Sequence, residues 1–267
     1  MRRTLLSLAL LISFNTTLSA QVAPKEYVCQ RATGKIVIDG KLNEAAWRKA
    51  PATDLFVDIE GDAKPRPRFA TRAKMLWDAR YFYLGAELDE PHVWGTLTKR
   101  DSVIFHDNDF EVFIDPNGDR DEYYELEINA LNTVWDLFLP KPYRDGGKAQ
   151  DSWDIVGLKT AVQIRGTLNN PRDTDKGWTV EMALPWQALG EYAHKPAPPN
   201  DGDQWRINFS RVEWQHEIVD SKYRKVANTK EDNWVWSPQG VVDMHRPEMW
   251  GYVHFSNGLK GKRAVKK

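Results

Sequence analysis

The stretch FEVFIDPNGDRDEYYELEIN, residues 110–129, decides the fold. In its first arm Phe110, Val112 and Ile114 share one face, and Glu111 and Phe113 the other. The second arm repeats the pattern, with Tyr124, Leu126 and Ile128 opposed to Glu125, Glu127 and Asn129. Between them lies Pro116-Asn117-Gly118-Asp119, a turn composition. A two-residue period marks strands with distinct faces, and two such runs around an Asn-Gly pair read as a hairpin.

Working outward, Thr71 to Trp77 and Tyr81 to Leu88 form a second hairpin around Asp78-Ala79-Arg80. Lys35 to Ile38 reads as a strand leading into an Asp39-Gly40 turn, with Asn43 capping a short helix Glu44 to Trp47. Further strands are expected at 158–164, 178–184, 204–212, 233–236 and 251–255, and a short helix at 186–189 begins behind Pro185. No ten-residue amphipathic helix occurs, which disfavours α/β architectures. Many short strands with frequent turns predict an all-β, two-sheet antiparallel β-sandwich, jelly-roll or immunoglobulin-like, with one or two short helices.

The chain has 267 residues, 41% hydrophobic and 28% charged, which suits one large globular domain. A formal net charge of −1 offers no field to attract nucleic acid or an anionic membrane. Arg2 and Arg3, the apolar run Leu5 to Phe14, and Leu18-Ser19-Ala20 read as a signal peptide over 1–20, hence a secreted or periplasmic protein. That run is too short to span a hydrocarbon layer of about 30 Å, so no membrane insertion is expected. Gln21 stands where a lipidated Cys would be needed. The expected organisation continues with a lead-in over 21–33, one sandwich domain over 34–256 and a basic disordered tail over 257–267. The lone Cys29 cannot close an intramolecular disulfide. Trp, at 12, outnumbers Phe and Tyr, which suggests that some indoles serve a surface by stacking.

On the expected strands, Glu111, Glu125, Glu127 and Asn129 share a face with Arg206, Asn208 and Ser210 of 204–212. Such a face suits a sugar, whose hydroxyls seek planar donors and acceptors and whose C–H face seeks aromatic rings. It equally suits a solvated sheet with cross-strand charge pairs. Three blocks carry a resemblance: Val37-Ile38-Asp39-Gly40-x-Leu42-x-Glu44-x-x-Trp47, Leu76-Trp77-Asp78-x-x-Tyr81-x-Tyr83-Leu84, and Asp109 to Asp115. With Trp178-Thr179-Val180-Glu181, Trp236-Ser237 and Trp250-Gly251, the chain resembles carbohydrate-binding module family 9 over residues 34–256. The resemblance implies a β-sandwich that binds sugar ends between two aromatic rings, with structural calcium nearby. It carries sugar-contacting roles onto Glu111 and Asn129. The family's floor Arg is Glu127 here, a reversed charge. Its two sandwiching Trp residues fall near Phe105 and Met244, with Trp234, Trp236 or Trp250 as substitutes for a ring. A ligand-contacting Gln falls at Ser210 or Arg211.

Asp115, Asn117, Asp119 and Asp121 place oxygens at alternate positions, a density suited to calcium, although the same residues also favour a plain turn. His106-Asp107-Asn108-Asp109 is a second oxygen-rich loop. No HExxH, Gly-x-Ser-x-Gly or complete phosphate loop is present. The expected function is exported, non-catalytic binding of mono- or oligosaccharides, beside a separate polysaccharide-degrading enzyme. Two alternatives are a glycoside hydrolase using the sheet-face carboxylates and a DOMON-type sandwich binding haem b through Met75, Met182 or Met244 with His245 or His254.

Overall fold

A computed structural model describes residues 23–258, so the expected signal peptide and all but two residues of the expected tail lie outside the described residues. The strands are β1 (Glu26–Arg31), β2 (Val57–Asp58), β3 (Thr71–Trp77), β4 (Tyr81–Leu88), β5 (Asp109–Asp115), β6 (Tyr123–Asn129), β7 (Val134–Leu139), β8 (Lys159–Ile164), β9 (Trp178–Pro185), β10 (Gln204–Glu213), β11 (His216–Val219), β12 (Lys222–Lys225), β13 (Asp232–Val235) and β14 (Gly251–Ser256). Two short helices, α1 (Ala45–Lys49) and α2 (Trp186–Leu189), complete the regular structure with three single 3₁₀ turns.

Strand order is β7-β6-β5-β10-β14-β1-β3-β4-β9-β8, with β13 on β10 and β2 on β13, while β11 and β12 form a separate hairpin. The path curls so that its two halves face each other. Phe110, Val112, Leu126 and Phe209 from one half share a core with Met75, Leu84, Val180 and Met182 from the other. This is the expected β-sandwich, with one difference in sense. β1 runs parallel to both β14 and β3, so the sandwich is not wholly antiparallel. The expected lead-in therefore contributes a strand, with Tyr27 and Cys29 buried and Val28 exposed. Lys35–Ile38, by contrast, joins no ladder; Ile36 and Ile38 pack beside Trp47, Leu76 and Tyr83 in a satellite cluster. Apolar character there serves packing without pairing.

The indoles are mostly interior. Nine of the 12 Trp residues are buried, Trp47, Trp186, Trp205, Trp236 and Trp250 almost completely. Trp186 meets Trp205 edge to face at 5.4 Å, and both meet Phe255. The Trp excess thus supplies core volume in a protein without disulfides.

One polar contact ties two distant sequence blocks together. Glu181 on β9 accepts the N–H groups of Asp39 (2.9 Å) and Gly40 (3.0 Å) on Oε2, and Trp47 Nε1 (2.7 Å) on Oε1. Gly40 has φ +83°, and a Cβ there would lie 2.9 Å from the Gln163 nitrogen, so only glycine fits the turn. Thr179 also donates its hydroxyl to Gly40 O. α1 begins one residue later than expected, with Glu44 rather than Asn43 at its N-cap and no side-chain cap bond. The helix is held by its tertiary contacts. Glu181→Gln sets an NH₂ group against N–H donors, and urea unfolding is expected to show a loss of about 2 kcal/mol.

Candidate functional site

β10, β5, β6 and β7 lie side by side, and their registers set side chains in rows across one face. Ser210 aligns with Glu111, Glu111 with Glu127, and Glu127 with Trp135. One pleat along, Asn208, Phe113, Glu125 and Leu137 form a second row, and Val212, Asp109 and Asn129 a third. The expected alternation is present, but this polar face is not solvated. Glu111 and Glu125 are 5% exposed, and Glu127 only 1%.

What covers the face is the segment between β13 and β14. Asn208 and Ser237 bond reciprocally, Nδ2 to Ser237 O at 2.8 Å and Ser237 N to Oδ1 at 2.9 Å. Arg206 donates to Trp250 O (2.8 Å) and Glu248 O (2.6 Å), and its guanidinium stacks 3.9 Å over the Tyr252 ring. Gln239 and Gly240 donate their N–H groups to Ile59 O. Trp250 and Met244 then pack on Phe113, Tyr123 and Leu137 as a third apolar cluster.

Where the cover stops short, a hollow of about 310 Å³ opens, lined by Phe105, Glu111, Glu125, Glu127, Trp135, Tyr143, Glu231, Val242, Asp243, Met244 and His245, among others. Rings occupy its wall: Phe105 and Trp135 are half-buried and Tyr143 is exposed. Phe105 is fixed by its N–H to Glu127 Oε2 (2.9 Å) and by Trp214 Nε1 to its carbonyl (2.8 Å). A second hollow of about 360 Å³, lined by residues 55–70, gathers no comparable group of buried carboxylates. Convergent carboxylates with shifted titration beside rings favour the first as the site.

Electrostatically the floor is lopsided. Burial pushes Glu111 up to about 7 and raises Glu125, Glu127 and Asp109 well above the usual carboxylate range. His245 Nε2 lies 4.0 Å from Glu125 Oε2, but burial lowers His245 to about 4, so at neutral pH it is uncharged. Its Nδ1 instead pairs with Tyr123 OH at 2.9 Å. Lys225, whose pKa is lowered chiefly by burial, rests its ammonium 3.6 Å over the Trp214 ring.

Of the expected sugar-contacting residues, Phe105, Glu111, Glu127 and Met244 converge on this hollow. Ser210 lies beneath it beside Glu111. Asn129 does not line it, because its carboxamide is fully engaged: Nδ2 donates to Leu97 O and Asp107 Oδ2, and Oδ1 accepts from Leu131 and Thr133. It anchors the loop that presents Phe105. Arg211 also stays away, buried in ion pairs with Glu90 (2.7 Å) and Glu213 (2.8 Å). Trp234, Trp236 and Trp250 are interior and offer no stacking face. Trp135 and Tyr143 are the rings that sequence reasoning missed.

The Asp115–Asp121 oxygens serve a turn. Asp115 accepts from Gly118 and Arg120 N–H, Asn117 from Asp119 N–H, and Asp119 from Asp121 N–H. These bonds close the turn, and among the described residues the acidic groups of this loop do not bring three oxygens within 4.8 Å of one another. Asp107 of the second oxygen-rich loop likewise caps Thr96 and Leu97 N–H. Among the described residues, two acidic groups bring three oxygens within 4.8 Å of one another: Asp101, Asp136 and Asp154, and Asp109, Glu111 and Glu127. As for haem ligands, Met75 and Met182 are fully buried in the main core.

The chain is thus a curled β-sandwich that carries, on one sheet, a hollow walled by aromatic rings and floored by carboxylates. The match to the carbohydrate family 9 binding domain-like family runs over residues 38–254, and the chain belongs to that family. It is 28% identical over 170 residues to exoglucanase XynX of Acetivibrio thermocellus, covering 64% of this chain and 13% of that protein. It is 30% identical over 152 residues to endo-1,4-beta-xylanase C of Paenibacillus barcinonensis, covering 57% of this chain and 12% of that one. The chain thus spans about an eighth of the length of these relatives. A family 9 carbohydrate binding module from Caldicellulosiruptor kristjanssonii in complex with cellotriose superposes with TM-score 0.55 at 16% identity, covering 91% of this chain and 98% of that one. A candidate carbohydrate-binding protein from Bacteroides uniformis gives 0.63 at 17% identity, covering 88% and 100%.

The raised carboxylates set the expected pH response. A carboxyl group whose folded pKa lies above its unfolded value keeps its proton longer when folded, so it disfavours folding as the pH climbs between the two values. For Glu111 that window runs from about 4.5 to about 7. In chelating buffer Tm is expected to fall between pH 5 and pH 8, and Glu111→Gln to flatten the slope; differential scanning fluorimetry across that range is the check.

Proposed function

We propose that this protein is an exported, non-catalytic carbohydrate-binding protein serving polysaccharide breakdown beside a separate enzyme. The observation that carries the reading is the convergence of Phe105, Trp135 and Tyr143 with Glu111, Glu125 and Glu127 on one hollow. Rings accept the apolar face of a pyranose, and the carboxylates accept its hydroxyls. Family membership supports the ligand class. Structural relatives hold cellotriose and glucose, so a β-linked glucan end is the first ligand to try. Export rests on the N-terminal sequence, and the enzyme partner on relatives that are themselves glucanases and xylanases.

Hydrolysis fits the geometry less well. Glycosidase carboxylates flank the scissile bond, whereas Glu111 and Glu127 are neighbours on adjacent strands of one floor, on the same side of any sugar lying over it.

Titration calorimetry with glucose, cellotriose and xylo-oligosaccharides is expected to give measurable heat for at least one of them. Trp135→Ala and Phe105→Ala should each weaken binding about tenfold, the order expected for losing one stacked ring of about 0.5–1.5 kcal/mol beyond its area burial. Absence of heat with every sugar, or ring variants that bind like the parent, overturns the reading. Release of reducing ends during the titration overturns its non-catalytic part.

A further inference from the structure

Asp109, Glu111 and Glu127 each bring one oxygen within 4.8 Å of the others. A hard divalent cation such as calcium holds oxygens at about 2.3–2.6 Å, so ligands on opposite sides of it stand about 4.8 Å apart. The second acidic trio already has its cation, since Arg100 donates to both Asp136 and Asp154. Among the described residues no Lys, Arg or His forms an ion pair with Asp109, Glu111 or Glu127; His245 stands 4.0 Å from Glu125, and the Lys225 ammonium acts on Asp109 through space without pairing with it.

Two further observations point to a missing ligand. Asp109 is wholly buried; Oδ1 accepts a 3.3 Å bond from Val212 N–H, and Oδ2 has no partner. The Ser210 hydroxyl, wholly buried and level with Glu111 on β10, faces that carboxyl and lowers its pKa without making a well-formed hydrogen bond. Orphaned buried oxygens of this kind are rare in folded proteins and call for an ion or water.

We propose that Asp109, Glu111 and Glu127 hold a hard divalent cation at the floor of the hollow, with the open part of its coordination sphere turned toward the sugar. Glu111 and Glu127 face the hollow while Asp109 lies behind them. Glu127 Oε2 is already engaged by Phe105 N–H, and Asp109 Oδ1 by Val212 N–H. The three carboxylates therefore offer about four free oxygens, short of the six to eight that calcium takes. The remaining positions suit water or a vicinal pair of sugar hydroxyls. Only this last step rests on the sugar-binding reading.

The test uses the full chain, stripped with chelator and titrated with calcium, magnesium or manganese. Tm should rise by about 5 °C or more at a hundredfold excess over Kd. Terbium should give luminescence sensitised by Trp135, the cross-strand neighbour of Glu127. Asp109→Asn and Glu127→Gln should each abolish the rise, yet in chelator melt no lower than the parent, because each removes a buried carboxyl that is costly to ionise without a cation. A parent unresponsive to all three cations, or variants that respond like the parent, overturns the proposal. Cellotriose titrations with and without cation separate the two readings. A cation response without sugar binding keeps the metal site and removes the sugar reading; sugar binding in chelator with no cation response does the reverse. Binding of glucosamine in chelator with no cation response also overturns the proposal and assigns the floor to an ammonium group.

Discussion

Glu111 and Glu127 oppose each other across paired strands, with Asp109 one pleat away, beneath a cover that excludes most water. Like charges that close, in a medium of low polarity, cannot all be ionised without a compensating ligand. That constraint organises the region around it. The cover segment is pinned by Asn208, Arg206 and Trp250, and its His245 stands 4.0 Å from Glu125. Phe105 is aimed by Glu127 through a backbone bond. Ring placement and acid placement are therefore mechanically linked, and a change in the state of Glu127 reaches the wall of the hollow directly.

Much of the architecture was legible because both arms of the 110–129 hairpin keep one apolar and one polar side. β3, β4 and β6 fall within the expected bounds for the same reason. β7 was illegible for the opposite reason. Trp135, Leu137 and Leu139 face one apolar cluster while Val134 and Phe138 face another, so both sides are buried and the alternation disappears. Since β7 carries Trp135, the missed strand hid a ring of the site. The fate of the polar face was likewise hidden, because nothing in the local pattern announces a cover that comes from residues 237–250.

The family blocks divide by physical role. Asp39-Gly40, Trp47 and Glu181 form one hydrogen-bonded unit distinct from the hollow, so these blocks hold the scaffold rather than line the site. Asn129 belongs with them, as the anchor of the 96–107 loop. Of the residues that reach the hollow, Glu111 keeps the residue that the resemblance implies there, while Phe105, Glu127 and Met244 differ from it.

The first and last strands have a mechanical consequence. β1 and β14 run parallel in five consecutive registered pairs, Glu26 with Tyr252 through Gln30 with Ser256. Tension applied through the residues that precede β1 and follow β14 would act along the strands, loading all the ladder bonds at once in shear rather than peeling them singly.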